Sequence, residues 1–258
     1  MTTYKTCIFC NRNDSRPTNE DIFADWIARE FPNPSLTWET STREGPILYK
    51  SKRNKIGLKS NRVCQRCNNG WMSQLESAAK PVLSPLIHGR KRILSLHNQL
   101  TITKWFAKTA AMFDAHIKGK TYFTQSERQA IMSSLAPTKT TWVFLACYRG
   151  SHIGDIVTRS SFLHDQEKPL PENDHDLFKA DGYAFTLLIK HLALQIFSFR
   201  WPKELVGTFN LEMPARWEDA TVRIIPPEKD VYWPPPLVFD DAGFEEFAMR
   251  WGELRLTR

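Results

Sequence analysis

The stretch Cys64-Gln-Arg-Cys-Asn-Asn-Gly-Trp-Met-Ser-Gln-Leu-Glu76 holds a C-x-x-C pair, Cys64 and Cys67, followed directly by Asn68 and Asn69 and then by the opening of an apolar helix. A second pair with the same spacing, Cys7 and Cys10, stands far upstream. Two such pairs supply four thiolates, the ligand set of a closed tetrahedral zinc site. A structural Zn²⁺ on these cysteines would tie the start of the chain to Cys67 and hold Asn68 and Asn69 in one fixed place. Such a site adds folding energy and keeps no open coordination position. Any chemistry must therefore come from residues around it.

The rest of the chain bounds what that zinc module can belong to. With 258 residues, 41% hydrophobic and 24% charged, it has the balance of a globular protein. It is long enough for one large domain or two ordinary ones. No apolar run approaches the roughly 20 residues needed to span a bilayer, so no membrane partner is expected. No apolar segment of a secretory signal precedes Cys7. A cytoplasmic location is the expectation, and in a reducing compartment paired cysteines bind metal more readily than they form disulfides. The fifth cysteine, Cys147, lies in the apolar run Trp142-Val-Phe-Leu-Ala-Cys147 and reads as a small buried hydrophobe.

The net charge of +7 is concentrated. Lys50, Lys52, Arg53, Lys55, Lys59, Arg62 and Arg66 follow one another with no acidic residue between them. A basic strip beside a zinc knuckle points to a polyanion, and so to nucleic acid. A solvated basic loop is the plainer alternative.

Taken in order, the pattern predicts an α+β chain. A helix is expected from Thr18, with Ile22, Phe23, Trp26, Ile27 and Phe31 at helical spacing, ended by Pro32 and Pro34. Residues 35–60 read as a loop or ribbon with weak strand signals. From Trp71 a helix runs to about Ala79 and is interrupted by Pro81 and Pro85; Trp71 and Leu75 pack it against the zinc knuckle. Thr101 to Lys118 reads as a helix with Ile102, Trp105, Phe106, Thr109, Phe113 and Ile117 on one face and Gly119 as its stop. Thr124-Gln-Ser-Glu127 is a capping box opening a short helix that ends before Pro137. Beyond it, Thr141–Tyr148 is a strand with Ile153–Thr158 as its partner. Residues 167–181 form a polar loop, and two apolar runs around Lys190-His191 make a hairpin. A strand at Val222–Ile225 and a helix from Ala242 to Trp251 complete the chain. The expected division is a zinc-stapled module at 1–80, a helical region at 81–136 and a mainly antiparallel α+β part at 137–258.

The N-terminal arrangement resembles the HNH endonucleases of the ββα-metal type, particularly their zinc-stapled bacterial members. In that family an acidic residue followed by His lies after the first cysteine pair. An asparagine precedes the second pair, and His or Asn directly follows its last cysteine. Here Glu20-Asp21 answers to the first element, Asn61 to the second and Asn68 to the third. The likeness covers roughly residues 5 to 80. It implies a metal-dependent endonuclease that hydrolyses DNA, with double-stranded DNA as its partner, and pairwise cutting of a duplex would suit a homodimer. It also implies that Glu20 and Asn68 hold one Mg²⁺ or Mn²⁺ through oxygen atoms. Asn61 pins the loop. The departure is Asp21, which stands where the family has its general-base His. Asp21 then acts as a weaker base, or becomes another metal ligand, or the site is inactive and the chain is a zinc-stapled nucleic-acid binder.

Glu20 and Asp21 have a purely structural reading as well, since Thr18-Asn-Glu-Asp21 fits a helix capping box. Asn68 or Asn69 fits as the cap of the helix from Trp71. Glu76, two turns into that helix, reads as a surface residue, with a metal-ligand role as the alternative. A last reading makes the C-terminal part the working unit, with its tryptophans and prolines as a protein interface.

Overall fold

A computed structural model describes residues 4–30, 36–41, 47–53, 58–116, 122–134, 140–161, 182–200, 210–250 and 255–257. The N-terminal part contains β1 (Glu20–Asp21), α1 (Asp25–Glu30), β2 (Leu36–Ser41), β3 (Ile47–Arg53) and β4 (Lys59–Ser60). β2 and β3 form an antiparallel hairpin, so the weak strand signals there mark a ribbon. α2 (Gln65–Cys67) leads through a wide π-type turn at Asn68–Met72 into α3 (Ser73–Ile87). Gly70 leaves helical dihedrals (φ −93°, ψ −113°), which kinks the chain between α2 and α3.

Two expectations in this part are corrected. The helix near Thr18 begins only at Asp25, because Glu20 and Asp21 pair as a strand with Ser60 and Lys59. Thr18 caps nothing: its hydroxyl and its amide both donate to the Val63 carbonyl. The predicted Phe31, Pro32 and Pro34 at the helix end lie outside the described residues. Second, α3 runs straight through Pro81 and Pro85. Each proline removes a main-chain donor at a cost of about 3 kcal/mol. The offset is an apolar stripe, Leu75, Ala79, Val82, Leu83, Leu86 and Ile87, buried against the rest of the core. α3 stops at Gly89 instead, whose φ of +66° closes a Schellman-type end with bonds from Gly89 N to the Leu86 carbonyl and from Arg90 N to the Pro85 carbonyl.

β5 (Arg92–Leu94) precedes α4 (Leu96–His116), which starts a turn and a half earlier than its periodicity suggests. Its predicted stop at Gly119 lies outside the described residues. α4 is buried on nearly every side, including Thr103, Lys108 and Asp114. α5 (Gln125–Ser133) opens on the predicted capping box: Glu127 N donates to Thr124 Oγ1 at 3.3 Å, and Thr124 N donates to Glu127 Oε2 at 2.6 Å. Pro137 lies outside the described residues.

The C-terminal part holds a five-stranded antiparallel sheet of β6 (Thr141–Cys147), β7 (Gly154–Ser161), β8 (Gly182–Ile189), β9 (Leu192–Phe199) and β11 (Thr221–Ile225), with a short β10 (Asn210–Glu212) outside it. Its order is β11-β6-β9-β8-β7. The hairpin around Lys190-His191 is β8–β9. The expected pairing of Ile153–Thr158 with Thr141–Tyr148 is corrected: β7 pairs with β8 at the far edge, while β6 lies between β9 and β11. β6 is buried along its whole length while β7 is exposed or half-buried from Gly154 to Thr158, and neither composition carries a register. Along β6, Val143, Leu145 and Cys147 face one buried cluster and Trp142, Phe144 and Ala146 the other. A sheet covered on both faces explains the unbroken apolar run and the burial of Cys147. β12 (Val231–Trp233) pairs with β5, α6 (Asp241–Met249) covers the second face, and β13 (Arg255–Thr257) pairs with β10. Residues 167–181 and Trp251 lie outside the described residues.

The architecture is thus mixed α+β, with mostly antiparallel pairing, a helical middle and a four-cysteine cluster near the N-terminus. One continuous core joins Cys7, Trp26 and Leu75 to Trp105, Val143, Phe185 and Trp233. Among the described residues no helix is long and apolar enough to cross a membrane.

Candidate functional site

The first cysteine pair sits in a tight knuckle. Cys7 N donates to the Arg12 carbonyl at 2.8 Å and Asn11 N to the Cys7 carbonyl at 3.0 Å. Asn11 takes the left-handed conformation (φ 57°) that the turn needs and that asparagine tolerates. Main-chain bonds then lay the second pair alongside: Ile8 N to the Arg62 carbonyl, Gln65 N to the Arg16 carbonyl, and a bridge between Pro17 and Cys64. α5 closes the knuckle from outside, with Gln125 Nε2 donating to the Phe9 carbonyl and Arg128 Nε to the Ile8 carbonyl.

The Sγ atoms of Cys7, Cys10, Cys64 and Cys67 consequently all lie within 4.8 Å of one another, close enough to hold a metal ion. The Cys10–Cys64 separation is 3.7 Å. Zinc–sulfur bonds of about 2.3 Å in a tetrahedron put sulfurs about 3.8 Å apart, so the spacing fits Zn²⁺. The sulfurs cannot all ionise at this distance without a cation between them. Cys7 is drawn well below the ordinary thiol range, chiefly by a hydrogen bond from Cys67, and Cys67 is driven up by the same contact and by burial. Burial likewise raises Cys10. Trp71 packs edge-on against Phe9 with ring centroids 5.0 Å apart, as expected of a residue seating the helix on the knuckle. Its indole nitrogen is buried without an oxygen or nitrogen acceptor and lies near enough to Cys67 to favour the thiolate there.

Glu20 and Asn68, far apart in sequence, meet beside this cluster. β1 delivers Glu20, and the first turn after Cys67 delivers Asn68, whose amide hydrogen-bonds the Glu20 carboxyl. Glu20 is half-buried, and that burial raises its carboxyl above the usual range; the nearby Lys108 charge works the other way, while Asp21 and Glu76 add to the rise. The alternative roles as caps are not what the structure shows. Asn68 stands inside continuing helical turns, its own N–H bonded to the Cys64 carbonyl, and no side chain caps α3. Asp21 is close to Glu20 in sequence yet occupied elsewhere: Lys59 Nζ lies 3.7 Å from its Oδ2. Asn61 is exposed in the bend between Ser60 and Arg62. His88 is bonded to Glu30 at 2.6 Å and His191 to the Tyr148 carbonyl at 2.8 Å, so neither is delivered to Glu20. Two oxygen-bearing side chains suit a hard cation such as Mg²⁺, which keeps several waters and takes its remaining ligands from a phosphate. That fit requires the Asn68 amide to present its oxygen.

The surface reading of Glu76 is a correction. Its carboxylate is 18% exposed and collects hydrogen bonds from three side chains on two other helices. Trp26 Nε1 donates to Oε2 at 3.1 Å, Trp105 Nε1 to both oxygens at 3.0 and 2.9 Å, and Lys108 Nζ to Oε1 at 2.6 Å. Lys108 is itself 1% exposed. A sequence signal exists, because Lys108 stands one turn after Trp105 on α4 and a lysine buried there requires a counter-charge. Buried tryptophans likewise need an acceptor.

The basic strip is divided. Lys50, Lys52 and Arg53 sit on β3, with Lys50 opposite Glu39 in register, and Lys55 lies outside the described residues. Lys59 pairs with Asp21 and Arg66 with Asp14 at 3.6 Å, while Arg62 is exposed. A separate open hollow of about 1010 Å³ in the C-terminal part is lined by Phe144, Leu211, Arg223, Tyr232 and Pro234 among others, and shares no residue with the Glu20–Asn68 site.

Compared with known protein families, with curated proteins and with solved structures, the chain has no significant match.

Proposed function

We propose that the chain is a metal-dependent endonuclease that hydrolyses DNA phosphodiester bonds from a zinc-stapled, HNH-like module. The observation that supports this reading is the contact between the Glu20 carboxyl and the Asn68 amide directly beside the four-cysteine cluster. The resemblance in sequence pairs these residues, and the capping roles that would otherwise explain them are not what the fold uses. In this reading Zn²⁺ on Cys7, Cys10, Cys64 and Cys67 is structural. A Mg²⁺ or Mn²⁺ ion held by Glu20 and Asn68 would neutralise the scissile phosphate and stabilise the leaving oxygen. Glu20 supplies the anionic ligand, and its partial burial excludes competing water. Asn68 orients that carboxyl. The exposed Arg62 and the basic β3 ribbon attract the phosphate backbone, so binding should weaken steeply with salt.

Purified, zinc-loaded protein incubated with supercoiled plasmid in Mg²⁺ or Mn²⁺ tests this. The expected result is metal-dependent nicking that Asn68→Ala lowers by about a hundredfold or more while leaving zinc content unchanged. Equal nicking by the variant, or none by the native chain, contradicts the reading.

The second reading is a zinc-stapled DNA binder without catalysis. One observation favours it: Asp21, at the family's histidine position, is tied to Lys59. Asp21→His separates the two. Activity that appears only in the variant makes the native chain a binder, and activity lost in the variant gives Asp21 a positive role.

A further inference from the structure

Lys108 presents a problem that the proposed nuclease chemistry does not use. It is an ammonium 1% exposed, carried on the most deeply buried helix, with its charge felt at Glu20. A buried ammonium without a partner takes whatever carboxylate is within reach. Two carboxylates bear on it: Glu76, bonded at 2.6 Å, and Glu20, which feels its charge. Glu76 is held rigidly for the task. Its two oxygens accept from Trp26 on α1 and Trp105 on α4, so it cannot swing away from Lys108 without leaving indole donors unpaired. Glu20 has a different neighbour, the Asn68 amide.

We infer that Glu76 is the dedicated counter-ion of Lys108, keeping that ammonium off Glu20 and so leaving Glu20 and Asn68 open to a divalent cation. Glu76 is then a positioning residue for the cation site, acting through Lys108 and touching neither metal nor substrate. This inference rests on the nuclease reading for its purpose, though not for its geometry. Glu76, Lys108 and Glu20 together carry one net negative charge, which a divalent ion inverts and a phosphate diester then cancels. Without Glu76, Lys108 takes Glu20 as its counter-ion and occupies the place of the cation.

A thermal-unfolding cycle on zinc-loaded protein tests the partner switch with no activity involved. Glu20→Gln alone should move Tm little. In the Glu76→Gln background the same change should lower Tm by a further 5 °C or so, because it strips Lys108 of its substitute partner (about 2–4 °C per kcal/mol at this size). Equal shifts in both backgrounds overturn the inference. A Mn²⁺ titration followed by electron paramagnetic resonance supplies the second arm. Glu76→Gln should weaken Mn²⁺ binding by about ten- to a hundredfold. Adding Lys108→Met to that variant should restore it to within about threefold, since no ammonium is left to compete. A double variant that stays as weak as Glu76→Gln overturns the assignment, as does Glu76→Gln binding Mn²⁺ like the native chain. If Glu76→Gln does not fold, the neutral pair Glu76→Gln/Lys108→Met decides alone: native-like Mn²⁺ affinity supports the inference and lost affinity refutes it. Failure of the nuclease reading looks different. The native chain then neither binds Mn²⁺ nor nicks plasmid, while the Tm cycle still reports which carboxylate Lys108 uses.

Discussion

Lys108 and Arg250 are both buried cations, each 1% exposed, and the helical middle and the C-terminal part seat them in different ways. Lys108, on α4 in the helical middle, is given a carboxylate held by two indoles. Arg250, at the C-terminal end of α6, donates from Nε to Gln195 Oε1 at 2.7 Å. Its guanidinium lies over Phe247, Phe144 and Trp217 at 4.4, 4.8 and 5.1 Å from the ring centroids. A ring cage acts over a short range through the faces of its rings. An ion pair costs more desolvation and gains little stability over apolar packing, yet it sets the field for groups nearby. The contrast is between a buried cation seated among rings and one seated on a carboxylate.

The largest effect should come from the cysteines. Chelation, or Cys64→Ser, should remove the metal and unfold the N-terminal part, since structural zinc contributes on the order of 10 kcal/mol. Metal analysis and circular dichroism measure it, and an unchanged unfolding curve after chelation would break the comparison on the charged side. Arg250→Ala should come next, costing about 3 kcal/mol in urea unfolding through lost packing and a buried amide oxygen left unpaired. Zinc content should stay intact. A change in metal binding there would mean that Arg250 and the cysteine cluster are coupled. Trp105→Phe takes one indole donor from Glu76 and should cost about 1–2 kcal/mol. The smallest effect is expected outside both regions, at Thr124→Ala, where losing the cap costs about 1 kcal/mol. Its partner Glu127 adds a pH signature. Burial pushes the carboxyl upward, but Arg200 and the Thr124 amide outweigh it and hold it below the ordinary value. That contribution is complete above the unfolded pKa near 4.5 and is lost as pH falls through the lower folded value, so Glu127→Gln should flatten the acid limb of a stability-against-pH curve.

What could be read from the sequence was local. The paired cysteines, the Thr124–Glu127 box and the Lys190-His191 hairpin each carry their signal within a few residues, and each forms as expected. What escaped depends on partners distant in the chain. Glu20–Asp21 reads as a first helical turn until Lys59–Ser60 offers it a strand to pair with. Pro81 and Pro85 read as breaks until the burial of Leu83 and Leu86 offsets them. Glu76 looks like a surface residue on its own helix, because its donors come from Trp26, Trp105 and Lys108. The residues of β6 and β7 signal strands but not which strand each pairs with, and β7 lies against β8 while β6 lies against β9.

A crystal of the zinc-loaded protein soaked in Mn²⁺ tests the central claim most directly. The account predicts an anomalous peak coordinated by a Glu20 carboxylate oxygen and the Asn68 amide oxygen, with Lys108 still bonded to Glu76. A structure that places no ion there, or that turns Glu20 away from Asn68, would contradict it.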